Sequence, residues 1–339
     1  MRVSWRATLG FALSAALLYW VLHDQPWADV AAALRASNVP LWIVTVIVSQ
    51  LMFPLRAIRW PIILHPVAPT LKFGPSWRAV AIGMMMNNVA LARLGEPARA
   101  FVLSREVPQV PFATAIGSLV VDRAFDGLVI LTLLLVAVLD PAFGTHTEIV
   151  GRSLGAWIAL PAAAVAAGFG VLSLAVFAPL RLERATGAIA KRVLPWWAGR
   201  ITMLVHNITA GFSVLRDPRR FVQILLWTFA HWLANPLAFW LGFKAMGIDV
   251  PFSAALLTQG LIAIGVAAPQ TPGFFGVFEA LAVVSLGLYG VAQPEAIAWA
   301  LTFHVLSFIP ITAIGLYYLS RLGLSFRDLG RSPRDASAA

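Results

Sequence analysis

Residues 269–279 read Pro-Gln-Thr-Pro-Gly-Phe-Phe-Gly-Val-Phe-Glu and interrupt an apolar region running from about residue 252 to 290. Pro269, Pro272, Gly273 and Gly276 are unsuited to continuous helix. A broken backbone leaves N–H and C=O groups unpaired, and hydrocarbon cannot satisfy them. Such a break is tolerated only where protein or a water-filled cavity covers it. Glu279 follows directly, and a carboxylate at membrane depth is costly enough to be a functional candidate. Taken alone, the stretch also fits an ordinary loop between two spans, with Glu279 at an interface.

The membrane setting rests on composition. Of 339 residues, 60% are hydrophobic and 12% charged, whereas soluble domains carry roughly 25% charged residues. The expected fold class is an all-α polytopic membrane protein. The net charge of +10 is therefore read through topology, since Lys and Arg gather on the cytoplasmic side. The absence of cysteine excludes disulfides and thiolate chemistry.

The first apolar run, 7–22, follows Arg2 and Arg6. It runs into His23-Asp24-Gln25 without a small-x-small site, which predicts an uncleaved span. A short segment, 27–38, is expected along the outer interface. A second span begins at 41 and ends near Arg56 and Arg59. The stretch 79–91 is too short to cross comfortably and carries Asn87-Asn88. It continues into Ala-Arg-Leu-Gly-Glu-Pro-Ala-Arg-Ala at 92–100. Arg93, Gly95, Glu96, Pro97 and Arg99 are incompatible with a lipid-facing span, so a hairpin entering from the cytoplasm fits better.

Residues 111–139 form a long span containing Asp122, Arg123 and Asp126. Asp122 falls roughly 17 Å into that helix, near mid-membrane. It shares a face with Asp126, four residues on. A plain scaffold span is expected at 154–178, and further spans at 221–243 and 296–319. Between them, 180–217 mixes basic and aromatic residues, as expected of cytoplasmic helices at an anionic membrane surface rather than of nucleic-acid binding.

These segments make one transmembrane domain over 1–320, with halves at about 1–153 and 154–320 and a disordered cytoplasmic tail at 321–339. The expected architecture is about six full spans plus two broken re-entrant hairpins in inverted arrangement, or about eight to ten apparent segments if the hairpins cross. Both termini are cytoplasmic. Of the 25 Lys and Arg, only Arg35, Arg152 and Lys244 then fall outside and only Arg123 within the membrane, as the positive-inside rule requires. Paired interrupted segments at matching places in two halves point to a transporter's midplane site.

Five stretches, in order, resemble one family. They are Arg56-Ala57-Ile58-Arg59-Trp60, Asn87-Asn88, the run at 92–100, Asp122-Arg123-Ala124-Phe125-Asp126, and Pro272-Gly273-Phe274-Phe275-Gly276-Val277-Phe278-Glu279. Together they are similar to the membrane domain of lysylphosphatidylglycerol synthases, the flippase-like domain, over nearly the whole chain. Two positions depart from the pattern. Phe274 stands where a third small residue is usual, and Asp122 where Glu is usual. The soluble aminoacyl-transferring domain is absent from the sequence, so lipid aminoacylation is not implied. The resemblance implies movement of a lipid between leaflets of an inner or plasma membrane, or an accessory role in envelope lipid or glycan assembly.

Moving a headgroup across hydrocarbon needs a polar path whose charges are paired when it is empty. Asn87, Asn88, Arg93, Glu96, Arg99, Asp122, Arg123, Asp126 and Glu279 are the candidates. Gly95, Pro269, Pro272, Gly273 and Gly276 supply the breaks. Arginine suits a lipid phosphate because its planar fork donates two parallel hydrogen bonds. Arg123 needs a partner, and the hairpins offer Glu96 and Glu279. All three are therefore predicted to face one cavity holding a phosphate-bearing headgroup. The alternative is a buried ion cluster that only fixes helix positions. His231 and His304 are read as helix-packing contacts.

Enzyme readings do poorly. Asp122-x-x-x-Asp126-Gly127 has the wrong spacing for a lipid-headgroup transferase, and there is no Asp-x-Asp, no His-Glu-x-x-His and no phosphate-binding Gly-Lys-Ser/Thr loop. No metal or cofactor is expected. The expected ligands are membrane lipids. If the protein is instead a non-transporting scaffold, its partner is an envelope lipid- or glycan-modifying enzyme. A lipid-linked transferase is a weaker third reading.

Overall fold

The computed structural model describes residues 5–23, 25–90, 94–140, 148–149, 152–153, 163–164, 166–171, 173–174, 177–199, 201–203, 215–266 and 272–329. The candidates Arg93 and Pro269 lie outside them, as do most of the expected span at 154–178 and residues 330–339 of the tail. Apart from one antiparallel pair of two-residue strands, Glu148–Ile149 and Arg152–Ser153, the regular structure among the described residues is helical.

The first half holds α1 (Trp5–Leu22), α2 (Trp27–Ala36), α3 (Val39–Leu64), α4 (Phe73–Val89), α5 (Gly95–Glu106) and α6 (Phe112–Val138). After α7 (Pro179–Val193) come α8 (Pro218–Ala245), α9 (Phe252–Gly265), α10 (Val277–Gly287), α11 (Gln293–Arg321) and the short α12 (Phe326–Leu329). Helices α3, α8 and α11, of 26, 28 and 29 residues, are long and apolar enough to cross a membrane. Helix α6 has 27 residues but carries Asp122, Arg123 and Asp126 in its middle. This is a multi-pass membrane protein.

Side chains start two of the long helices. Asn38 Oδ1 accepts from the Leu41 N–H at 2.9 Å, and Asp217 Oδ1 from the Arg219 N–H at 3.0 Å. These bonds satisfy orphan donors of the first turn. Pro54 and Pro61 lie inside α3, Pro236 inside α8 and Pro310 inside α11. Packed neighbours make such prolines tolerable in spanning helices. One expectation is corrected here. The second span does not end near Arg56 and Arg59. Helix α3 continues to Leu64 and carries both arginines into the protein.

Each half contains a hairpin of short helices, of 17 and 12 residues in the first and 14 and 11 in the second. In the first, α4 and α5 meet at their glycines. A Cβ on Gly83 would lie 2.8 Å from the Gly95 carbonyl oxygen, and one on Gly95 would lie 2.3 Å from that of Gly83. Asn87 Oδ1 accepts from the Gly95 N–H at 3.0 Å and so closes the start of α5. In the second, α9 and α10 are joined by a break with left-handed backbone: φ is +70° at Gly273, +63° at Phe274 and +90° at Gly276. Phe274 thus takes a conformation that costs a side-chain-bearing residue energy, at the position where the sequence departs from a small residue.

The two halves interlock. Helix α3 packs on α8. Helix α4 packs on α3 and α11, whereas α9 packs on α8 and α6. The second arms, α5 and α10, pack on their own first arms and on the following long helices, α6 and α11. Exchanging α3–α6 for α8–α11 leaves this pattern unchanged. The cores differ in chemistry. Around the first hairpin the core is mixed, with Trp60, Ile82, Met85, Leu103 and Phe125. Around the second it is strongly aromatic, with Phe239, Phe243, Phe278, Trp299 and Phe303.

Candidate functional site

Helix α6 presents Asp122 and Asp126 on one face, and three arginines converge on them from two other helices. From α3, Arg59 Nη2 lies 2.5 Å from Asp122 Oδ1 and 2.8 Å from Asp126 Oδ1. Arg56 Nη2 lies 3.2 Å from Asp122 Oδ2 and 3.0 Å from Asp126 Oδ2. From α5, Arg99 Nη1 donates to Asp122 Oδ2 at 2.9 Å, and its guanidinium stacks 3.9 Å from the centre of the Trp60 ring. Helix α8 completes the set. Thr228 Oγ1 accepts from Arg59 Nη1 at 2.7 Å, and Trp232 Nε1 donates to Asp126 Oδ1 at 2.9 Å. His231 Nε2 lies 3.6 Å from the same oxygen. The five charged residues are all buried. Removing one partner from such a set strands the others in a medium that cannot solvate them.

The cluster is not balanced by its own two aspartates. Arg56, Arg59 and Arg99 face Asp122 and Asp126, and the nearby carboxylate of Glu96 is 4.0 Å from Arg56. Arg99 keeps Nε and Nη2 without hydrogen-bond partners. It lines a small cavity with Arg56, Asn87, Gly95 and Glu96. Two free donors on a planar fork suit an anionic oxygen pair.

The predicted pairing of Arg123 with Glu96 is present, and Arg123 Nη1 also lies 3.4 Å from Asp126 Oδ2. Arg123 is not the buried arginine of the set. The Arg123 side chain is 49% exposed, whereas Arg56, Arg59 and Arg99 are the buried arginines. On α6 the face carrying Asp122 and Asp126 points inward, and Arg123, one position on, turns outward.

Glu279 forms a separate centre. Its Oε2 accepts from the Gly276 N–H at 2.7 Å, and its Oε1 lies 2.5 Å from His304 Nδ1 on α11. The other nitrogen, Nε2, lies 2.7 Å from the Gly273 carbonyl oxygen. The ring stacks on Phe275, with centroids 4.4 Å apart. Glu279 therefore pairs with His304 and the turn, not with Arg123, and the single shared cavity expected from sequence is divided.

Between the two centres lies a cavity of about 210 Å³, lined from both halves by Gln50, Asn88, Asn235, Gln259, Gly273 and His304, among others. Trp232 also lines it and touches Asp126 on its far side. Asn88 thus faces the cavity and donates to Thr312 Oγ1 at 2.7 Å, whereas Asn87 caps α5. Gly95, Gly273 and Gly276 sit where the backbone breaks or arms touch; the placement of the Pro272 side chain lies outside the described residues. Among the described residues, no group of three or more His, Asp or Glu could hold a metal ion.

The sequence reading missed Arg59, Arg56, Thr228 and Trp232 as parts of the cluster and His304 as the partner of Glu279. The Arg56-x-x-Arg59 spacing was the available signal, because residues three apart share a helix face. Ending the second span near the two arginines hid it.

A family model described as the lysylphosphatidylglycerol synthase TM region matches residues 7–315. Among similar proteins, one "UPF0104 membrane protein" of Methanothermobacter thermautotrophicus is 23% identical, with 91% of each chain covered. A second protein of that name from the same organism is 21% identical over 88% of this chain and 90% of its own. A protein of Haloferax volcanii named "Glycosyltransferase AglD" is 26% identical over 89% of this chain but 52% of its own length.

Proposed function

This chain belongs to the lysylphosphatidylglycerol synthase transmembrane-region family, and from that premise we propose that it moves a phospholipid or lipid-linked headgroup between membrane leaflets. The observation that carries this reading is the cavity between the two broken hairpins, with Trp232, a hydrogen-bond partner of the ion cluster, on one side and His304, the partner of Glu279, on the other. A headgroup phosphate takes the free donors of Arg99 in the smaller cavity, which shares Met84 with the larger one, while Asp122 and Asp126 keep Arg56 and Arg59 in place. The carboxamides of Gln50, Asn88, Asn235 and Gln259 replace water around the rest of the headgroup. The membrane is an inner or plasma membrane, both termini are cytoplasmic, and no covalent chemistry is involved. Purified protein in liposomes should move a labelled phospholipid without partners, and Arg99→Gln should slow it. Equal leaflet exchange in protein-free liposomes would overturn the proposal.

A second reading is supported by the Haloferax volcanii relative, whose name is that of a glycosyltransferase and whose matched region is about half of it. Here the chain scaffolds or feeds an envelope lipid- or glycan-modifying enzyme without transporting. Co-purification with such an enzyme, together with inactivity in liposomes, would favour it.

A further inference from the structure

His304 Nε2 faces a carbonyl oxygen, that of Gly273, at 2.7 Å. A carbonyl only accepts, so Nε2 carries a hydrogen. On the other side, Nδ1 and Glu279 Oε1 are 2.5 Å apart, so that contact needs one proton between them. Either the ring is an imidazolium beside a carboxylate, or a neutral ring accepts from a carboxylic acid. Both placements are neutral overall. Without the proton, the ring has a single N–H, so a lone pair faces either the Glu279 carboxylate or the Gly273 carbonyl, and the pair carries a net negative charge in a buried site.

The elements around the pair hold their other titratable groups elsewhere. Helix α9 has none, and α10 has only Glu279. On α3, Arg56 and Arg59 are bound to Asp122 and Asp126. On α4, Arg78 pairs with Glu106. On α8, His231 sits by Asp126, Lys244 pairs with Asp249, and Arg219 and Arg220 lie at the helix start. On α1, Tyr19 lies against His23. On α2, Asp29 and Arg35 are exposed. On α11 itself, Glu295 and Arg321 are at the ends, Tyr317 lies under Arg321, and Tyr318 accepts from Trp77.

We propose that Glu279 and His304 form a proton-binding site that latches the second hairpin and couples its opening to a pH gradient. The inference rests on the translocation reading for its use, but the latch itself is independent of it. With the proton bound, the pair ties the carbonyl of Gly273 and the amide of Gly276 to α11 across the left-handed break. Loss of that proton to water in the cavity leaves the ring one N–H for two acceptors, Glu279 and the Gly273 carbonyl, so one of the two contacts is lost and the tie opens. Rebinding a proton from the other side restores it, so one proton crosses per opening cycle.

The test uses the full chain, which has no native cysteine. Val266 lines the cavity at the end of α9. In lipid nanodiscs, the modification rate of Val266→Cys by a polar thiol reagent is followed between about pH 5 and 8. Gln109→Cys, exposed in the loop between α5 and α6, corrects for thiol ionisation. The corrected rate should change by up to about tenfold per pH unit, the factor one proton allows. Glu279→Gln keeps the acceptor for Gly276 and should flatten the profile; His304→Gln should do the same if the first variant folds poorly. A flat wild-type profile, or an unchanged one in both variants, overturns the latch. In liposomes, translocation should follow an imposed pH gradient in wild type and ignore it in Glu279→Gln. A titrating latch without any lipid movement overturns the translocation reading and leaves the proton site standing.

Discussion

In the first half Arg99 on α5 meets Asp122 on α6, and in the second Glu279 on α10 meets His304 on α11. The elements correspond: each contact joins the second arm of a hairpin to the long helix after it. The polarity is reversed, basic on the hairpin in one half and acidic in the other. The surroundings differ more. Asp122 is held by three arginines, and its neighbour Asp126 adds contacts from Trp232 and His231. Glu279 has one side-chain partner and one backbone partner, the latter in a turn with positive φ. The same packing plan therefore yields a rigid ion cluster in one half and a two-partner contact on a strained turn in the other. On the translocation reading, the fixed half holds substrate charge and the other gives way.

The largest expected effect breaks the fixed half. Asp122→Ala removes the carboxylate shared by Arg56, Arg59 and Arg99. Stranding buried charges in this way costs about 3–5 kcal/mol. The variant should lose most folded protein on size-exclusion chromatography in detergent, while Glu279→Gln should elute as wild type. Equal loss in both variants would erase the contrast between the halves.

Next is Trp232→Phe, which keeps a ring against the cavity but deletes the 2.9 Å hydrogen bond to Asp126. A hydrogen bond to a charged group contributes about 1.5–3 kcal/mol. A lowered unfolding midpoint is expected, with an intact cavity. An unchanged midpoint would mean that the arginines alone fix Asp126.

Gly276→Ala probes the adjustable half. Its φ of +90° disfavours a side chain, and the new Cβ would lie 2.5 Å from the Ser14 carbonyl oxygen of α1. The backbone strain is about 1–3 kcal/mol, so the effect on stability overlaps that of Trp232→Phe, but lipid movement should be lost disproportionately. Gly273→Leu should abolish transport too, whereas Gly168→Leu, where the nearest neighbour is Leu128 Cδ1 at 3.5 Å, should be tolerated. Equal damage at Gly168 would reduce the break to general packing.

Local chemistry explains what was legible in the sequence. Gly273 and Gly276 announced the second break because few other residues accept positive φ, and Asp122 and Asp126 announced a shared inward face by their spacing. The Arg123–Glu96 pairing was also legible, from the cost of an arginine in a span. Three features were not. Arg56 and Arg59 read as the end of the second span, yet α3 continues through Pro54 and Pro61 to Leu64 and carries both arginines inside. Thr228 and Trp232 reach the cluster only because α8 packs on α3 and α6, a contact between halves that no local pattern encodes. His304 meets Glu279 across 25 residues of intervening chain, by way of the turn that brings α10 back onto α11.

The smallest stability effect is expected at Arg123, and it sharpens what the fixed half does. Asp126 and Glu96 contact it, but half of its side chain is exposed. Exposed ion pairs contribute about 0–1 kcal/mol, so Arg123→Gln should unfold close to wild type. The buried Arg99→Gln should not, since it removes a charge from the set around Asp122. Transport separates the roles further. An outward arginine at the edge of the cluster is placed to meet an approaching phosphate, and its loss should raise the lipid concentration needed for half-maximal rate. If Arg123→Gln leaves both the unfolding midpoint and lipid movement unchanged, Arg123 is neither a substrate contact nor a structural ion. The anion-binding role then falls on Arg99 alone.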